Sequence, residues 1–304
     1  MSASAIPTVS VVLPTYNRAA LLPRAIASVL GQTFGDLELI VADDASTDDT
    51  AEVLARFADP RLRQVRRPQR GGSSAARNTG IAAARGEFVA FQDSDDAWLP
   101  DLLARLVPPL RAAPDDVALA YGALLRLEPE RAPQQLFNEL GARAAFDPWP
   151  AILAYNDNAH SMTWLVRRAR LAASGGYDES LPLWEDWELM IRLARHGRFI
   201  AVEEPVMLCY ATPGSLTTRD ERRAAALAHV LDKHGAAMRE HPRVWARNLR
   251  ALARFRALAG DGAGSLRAAA QSLRHNPLDA KTWGLLALGP IGARLRAPAR
   301  SAQA

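Results

Sequence analysis

Phe88-Val89-Ala90-Phe91-Gln92 is an apolar run of strand character, and it stops on Asp93-Ser94-Asp95-Asp96. Three carboxylates therefore stand where a buried strand leaves the core. Burying ionised carboxylates is costly unless something pairs with them. Hard cations such as Mg²⁺ and Mn²⁺ take oxygen ligands, and Mg²⁺ commonly uses one or two carboxylates together with substrate phosphates. Asp and Ser also form turns and cap helices, so the cluster taken alone leaves a metal–phosphate site and a turn both open.

The elements that must position this cluster alternate between strand and helix. Val9–Leu13 is a β-branched run ending at Pro14, and Leu37–Ala42 is a second strand ending on Asp43-Asp44. Between them, Leu22, Ala25, Ile26, Val29 and Leu30 recur at helical spacing. Further helices are expected at 48–57, 73–84, 99–112 and 184–194, and further strands at 62–66, 117–127 and 162–167. Residues 199–210 read as two short strands about Glu203-Glu204-Pro205, and 128–160 as a Pro-rich irregular stretch. Such alternation predicts an α/β fold with a mostly parallel sheet flanked by helices. Ligands of these sheets sit beyond the C-terminal strand ends. Three polar clusters fall there: Pro14-Thr15-Tyr16-Asn17-Arg18, Asp43-Asp44-Ala45-Ser46 and the Asp93–Asp96 run.

From about Arg219 the pattern is helical, so the expected division is a domain over 1–218 and an all-helical extension over 219–304. Residues 264–288 read as a helical hairpin, similar to one tetratricopeptide unit. The extension holds 16 Lys/Arg and 6 Asp/Glu, a net of +10, whereas residues 1–218 hold 21 and 27, a net of −6. An acidic body with a basic tail suits docking on an anionic membrane surface, or simply a solvated basic face. The tail's arginines have few aromatics among them, so no nucleic acid is expected. The single cysteine, Cys209, rules out an internal disulfide and suits a reducing cytoplasm. Residues 1–7 lack the pattern of a signal peptide, and the apolar run 283–293 is too short to span a bilayer. The expected location is cytoplasmic, peripheral at the inner face of the cell membrane.

Neither a GxGxxG nor a GxxxxGK(S/T) loop is present, and Lys233 and Lys281 are the only lysines. Dinucleotide dehydrogenases and P-loop enzymes are thereby disfavoured. Phosphate partners would be a metal, arginines and helix N-termini.

Five segments together resemble the inverting family 2 glycosyltransferases: Leu13–Arg18; Leu39–Thr50; Gly71-Gly72-Ser73-Ser74-Ala75-Ala76-Arg77-Asn78-Thr79-Gly80; Asp93–Asp96; and Trp184-Glu185-Asp186-Trp187-Glu188-Leu189. The resemblance runs from residue 8 to about 215. It implies a GT-A fold, a nucleotide-sugar donor, UDP- or dTDP-linked, and a Mn²⁺ or Mg²⁺ cofactor. By the same resemblance Pro14, Thr15 and Tyr16 line the base and ribose pocket, and Asp44 accepts a hydrogen bond from the nucleobase. Arg77 sits by the nucleotide or its diphosphate, and Ser94 joins the donor site. Asp93 approaches the ribose or a metal-bound water, Asp95 binds the metal, and Asp96 caps the following helix or joins them. Asp186 is the general base, with Glu185 and Trp184 on the acceptor side. Trp184 and Trp187 would stack on sugar faces, with core packing the favoured alternative for Trp187.

The resemblance also implies an acceptor: a hydroxyl of a glycan or lipid-linked glycan in cell-surface polysaccharide synthesis. Two alternatives stay open, transfer onto a polyprenyl phosphate and a non-catalytic nucleotide- or sugar-binding module. The family's late metal-ligating histidine has no counterpart, because Tyr210-Ala211-Thr212-Pro213 stands in that segment and no histidine lies between His196 and His229. His160 and His196 receive no role. The processive Gln-x-x-Arg-Trp signature is absent too, which favours addition of a single sugar.

Overall fold

The β-branched run at Val9 builds the centre of a sheet whose strands are buried on both faces. The structure is a computed structural model and describes residues 6–128, 131–136, 143–155, 160–210 and 220–295. In chain order the elements are β1 (Val9–Thr15), α1 (Leu22–Leu30), β2 (Leu37–Asp43), α2 (Thr50–Ala55), β3 (Leu62–Arg66), α3 (Ser73–Ala83), β4 (Phe88–Phe91) and β5 (Ala97–Trp98). They continue with α4 (Leu102–Ala112), β6 (Val117–Leu127), β7 (Gln134–Leu136), β8 (Arg143–Phe146), β9 (Trp164–Arg167), α5 (Arg168–Ala173), α6 (Glu185–Ala194) and β10 (Arg198–Tyr210). Four helices follow: α7 (Asp220–Arg239), α8 (Pro242–Leu258), α9 (Gly262–His275) and α10 (Ala280–Leu295).

The sheet runs β3-β2-β1-β4-β9-β6-β10-β5, with β7 beside β6 and β8 beside β10. β1, β2, β3 and β4 are parallel, while β9 is antiparallel to both β4 and β6. Register pairs Thr15 with Asp43 and Asp43 with Arg66, so these strand ends share one edge of the sheet. The backbone N–H of Gln92 bonds Val12 O, which brings the Asp93–Asp96 turn to the same edge. Every residue of β1, β2 and β4 is buried, as strands covered on both faces require.

Two expectations about this region are corrected. The segment 198–210 is one strand, with its register against β6 shifting on either side of Pro205. Proline has no N–H to give to the ladder, so the break falls there without ending the strand. The stretch 128–160 is not wholly irregular: it holds β7 and β8, whose three and four residues are too short to carry a periodic signal.

Helix α3 sits close on β1 through Gly80. A Cβ there would lie 2.4 Å from Val12 Cγ1. Gly80→Ala should therefore destabilise the fold by about 1–3 kcal/mol, as overpacking does. Urea unfolding measures it, and an unchanged midpoint would contradict this seating of α3.

At the far end of the strands from the polar edge, Glu38 shows what a structural carboxylate looks like. It accepts hydrogen bonds from Ser10 Oγ at 2.7 Å, Arg63 at 2.7 Å and Arg85 Nε at 3.0 Å. Burial alone would raise its pKa, but these bonds outweigh it and hold the group below its ordinary range.

The described residues divide into two compact units. The first comprises Met1–Ile152, Asn156–Ser180 and Glu185–Pro213, and the second Leu153–Tyr155, Leu181–Trp184 and Gly214–Ala304. Two short upstream segments, Leu153–Tyr155 and Leu181–Trp184, thus group with the helices. Within the helical unit the buried Asn248 holds one of them: its Nδ2 donates to Leu153 O at 2.8 Å, and its Oδ1 accepts from Tyr155 N at 2.6 Å. The hairpin read at 264–288 corresponds to α9 and α10. No helix among the described residues is long and apolar enough to cross a membrane.

Candidate active site

The polar strand ends are stitched to one another before any ligand is considered. Asn17 has a left-handed backbone, with φ of 50°. Its N–H bonds Ser46 Oγ at 3.0 Å, and its Oδ1 accepts from Thr47 N at 2.8 Å. Asp43 accepts from Ser46 N at 2.9 Å and from Arg66 at 3.0 Å. These bonds fix the loops after β1 and β2 side by side, with the Tyr16 ring 4.3 Å from the Arg70 guanidinium carbon.

Asp44 closes the next link. Its two oxygens accept from the backbone N–H groups of Gly71 at 2.8 Å and Gly72 at 2.7 Å, and Arg67 Nε lies 3.0 Å from Oδ1. Gly72 has φ of 92°, a conformation that costs a side chain-bearing residue most and glycine least. Asp44 therefore holds the loop that opens α3. Arg67, which the sequence did not single out, continues into α3 by donating to Thr79 Oγ1 at 2.8 Å.

One turn into α3, Arg77 is the hub of the site. Its side chain is only 6% exposed, and it donates to Asp93 Oδ1 at 2.8 Å and Glu185 Oε1 at 3.0 Å. The guanidinium so joins the end of β4 to the first turn of α6. Burial opposes its charge, but Asp93, Asp186 and Glu185 outweigh burial and raise its pKa. Asn78, the next residue, fastens the chain ahead of α6, exchanging bonds with Tyr177 N at 2.8 Å and Tyr177 O at 2.9 Å.

The three carboxylates that end β4 have separate surroundings. Asp93 meets Arg77. Asp95 Oδ2 accepts from Arg18 at 3.0 Å, while its backbone carbonyl accepts from Arg24. Asp96 accepts from Tyr210 N at 2.9 Å. The expectation that Asp96 caps a helix is corrected: β5 follows it, α4 begins only at Leu102, and the carboxylate is spent on β10. Burial above all, with repulsion from Asp93 and Asp95, pushes its pKa up to about 8. Ser94 between them is buried.

Asp186 lies in the first turn of α6, where the helix dipole favours acids. It is part-buried: its Oδ2 accepts from Ser161 N at 3.0 Å, while Oδ1 is itself buried and has no protein partner. Burial raises its pKa to about 7; Arg77 pulls it down, and Glu185 pushes it up. Thr15 Oγ1 and the side-chain amide of Gln92 are likewise buried without a protein partner. Buried polar atoms are normally satisfied, so these groups at the strand ends suit a polar ligand.

The tryptophans separate. Trp187 is fully buried in the core and donates to Ile152 O at 2.8 Å, so the core-packing alternative holds for it. Trp184, with φ of 59°, packs in the helical unit against Tyr155 and Phe255, with centroids 5.1 and 5.3 Å away. His160 and His196 acquire no place among the site residues above. Among the described residues no three His, Cys, Asp or Glu side chains form a ready metal cage.

With this geometry in hand, three likenesses bear on identity. The chain is 32% identical over 206 residues to the succinoglycan biosynthesis protein ExoO of Rhizobium meliloti (strain 1021), covering 65% of this chain and 59% of that protein. It is 40% identical over 95 residues to the UDP-Glc:alpha-D-GlcNAc-diphosphoundecaprenol beta-1,3-glucosyltransferase WfgD of Escherichia coli, covering 31% and 38%. The chain thus spans less than two thirds of the length of either relative. The crystal structure of S. aureus TarS 1-349 in complex with UDP-GlcNAc matches the fold with a TM-score of 0.62 and 18% identity, covering 88% of this chain and 89% of that one. Residues 10–139, which carry β1 to β7 and the Asp44, Arg77 and Asp93–Asp96 clusters, match the glycosyl transferase family 2 model, so this part of the chain is a glycosyl transferase family 2 domain.

Proposed function

We propose that this protein transfers one sugar from a nucleotide-sugar donor, UDP- or dTDP-linked, to a hydroxyl of a glycan or lipid-linked acceptor in cell-surface polysaccharide synthesis, with inversion. The observation that carries the reading is Asp186: a part-buried carboxylate whose buried Oδ1 is unpartnered and whose pKa is raised to about 7, beside the same arginine that binds Asp93. A general base works best when its pKa lies near the operating pH. The acceptor O–H gives its proton to Asp186 Oδ1 as the oxygen bonds the anomeric carbon, and the carbon–oxygen bond to the diphosphate breaks on the opposite face. Arg77 keeps Asp186 from being protonated too tightly and fixes Asp93 and Glu185. The unpartnered Thr15 Oγ1 and Gln92 amide are suited to hold the donor, beside Pro14, Tyr16 and Ser94.

The residues present fit a divalent cation. Asp93 and Asp95 each commit a single oxygen to an arginine, Asp93 to Arg77 and Asp95 to Arg18, and each keeps a second oxygen. A bound Mn²⁺ or Mg²⁺ would act there as a Lewis acid toward the diphosphate. Two protein carboxylates leave positions for phosphate and water, in keeping with the missing histidine. Support for the donor and acceptor classes comes from the UDP-GlcNAc complex of a fold neighbour and the diphosphoundecaprenol named for WfgD. The basic helical extension of net +10 would place the enzyme against the anionic inner face of the membrane.

Thermal unfolding with UDP-, dTDP- and GDP-sugars, each with and without Mn²⁺, tests the donor site. One of the first two should raise Tm by several degrees, with a further rise on adding Mn²⁺. Asp95→Asn should remove the metal-dependent part. If no nucleotide sugar moves Tm under any condition, the reading fails.

A further inference from the structure

The helical unit exposes apolar side chains where a soluble helical hairpin would normally carry polar ones. The turn joining α9 to α10 runs through Pro277 and Leu278, and Leu278 is 92% exposed. One turn into α10, Trp283 is 55% exposed, and its indole N–H bonds Pro277 O at 2.8 Å. This bond holds the indole beside the turn, so an amphipathic ring and a bare leucine share one tip. Exposed apolar groups standing singly need no explanation, but a Trp and a Leu fixed together at a projecting turn do.

Along α9 and α10 the charge near the tip is basic apart from one acid. Arg274 and Lys281 flank it and are exposed, and Arg267 lies two turns before Arg274 on the exposed stripe of α9 that also carries Leu266. Between residues 262 and 295 the only acid is Asp279. Its carboxylate is turned inward: it pairs with Arg250 of α8 and accepts from Thr282 Oγ1 at 2.7 Å. The acid that could offset the basic tip is thereby neutralised from within the unit, which leaves Arg267, Arg274 and Lys281 to set the tip's field.

We propose that the α9–α10 turn is a membrane-docking tip: Leu278 and Trp283 enter the headgroup region of an anionic bilayer while Arg267, Arg274 and Lys281 meet its phosphates. Tryptophan is favoured at this boundary because its ring is apolar at one end and donates a hydrogen bond at the other. Basic residues next to buried apolar ones add electrostatic attraction that weakens with salt. The inference rests on the reading that the basic extension meets a membrane, and it narrows that reading from a diffuse charge to five named side chains.

Co-sedimentation of the full chain with vesicles separates the two. Wild-type protein should partition onto phosphatidylcholine vesicles containing phosphatidylglycerol, and much less onto phosphatidylcholine alone or in high salt. The Leu278→Ser/Trp283→Ala variant, changed at exposed positions, should keep the wild-type Tm and lose about tenfold or more in partitioning, because two large apolar groups are withdrawn. Trp283→Ala alone and Leu278→Ser alone should each give part of the loss. Wild-type-like partitioning by the double variant overturns the tip but leaves the basic extension as the membrane contact. No preference of wild-type protein for anionic vesicles overturns both. Binding of a DNA duplex in place of vesicles, unchanged in the double variant, would assign the basic residues to nucleic acid and also overturn the proposal.

Discussion

Asp186→Asn should lower turnover by about 10²–10⁴-fold, the usual range for removing a positioned general base, while leaving donor binding intact. The amide keeps an oxygen for Ser161 N, so the first turn of α6 need not move. Its effect on stability should run the other way. The folded-state pKa of Asp186 is pushed up from 3.8 to about 7, so the folded chain keeps a proton that the unfolded chain loses across that interval. By linkage, the wild-type protein then loses stability as pH rises from about 4 to 7, and this loss persists above 7. At pH 8 Asp186→Asn should be at least as stable as wild type, although nearly inactive. The same titration gives the wild-type kcat/KM an acidic limb near pH 7, with activity rising as the carboxylate ionises. Steady-state kinetics against pH, paired with urea unfolding at pH 5 and 8, checks both parts. Near-normal turnover in Asp186→Asn would point instead to an acceptor already ionised, such as a polyprenyl phosphate, which needs no base.

The second large effect belongs to Arg77. Arg77→Leu leaves Asp93 and Glu185 without the guanidinium that joins them, and Asp186 without the nearby positive charge that lowers its pKa. Breaking a buried ion pair by removing one partner costs about 3–5 kcal/mol, because the remaining charge stays desolvated. Loss of that order should appear in urea unfolding at pH 7. It should shrink in acid, where the freed carboxylates take up protons. Arg77→Lys keeps the charge but cannot bridge two carboxylates in the same fork, so it should fall between the two. A Leu variant within about 1 kcal/mol of wild type would mean that these contacts are not held in solution.

Arg77 also shows where reading the sequence succeeds and where it stops. Its place near the start of a helix after Gly71-Gly72 was legible, because glycine at a turn and the helical spacing behind it are local signals. Its partners were not. Glu185 is 108 residues away along the chain, and no spacing rule connects the two. Asp96 is a similar case: Asp before a polar turn looks like a helix cap, but the backbone it meets is Tyr210, 114 residues on. Trp184 and Trp187 are three residues apart, yet one packs among the helices of the second unit and the other in the core of the first. Strands β7 and β8 escaped notice because three or four residues beside a sheet edge carry too short a pattern to distinguish from loop.

The sequence by itself determined the frame: apolar runs of strand length, helices of regular spacing between them, and polar clusters at the ends of successive strands. Parallel winding then requires those clusters to share an edge, which is why Asp44 and Asp93–Asp96 could be placed together before any coordinates. Only the tertiary structure decided how the charges divide. It gave Asp44 to the Gly71-Gly72 backbone, Asp96 to β10 and Arg77 to two acids, and it left Asp186 with an open oxygen. The physical reason is range. Periodicity is set by neighbours in the chain, whereas ion pairing and desolvation depend on a few ångströms of space between residues the chain brings together only when it has folded.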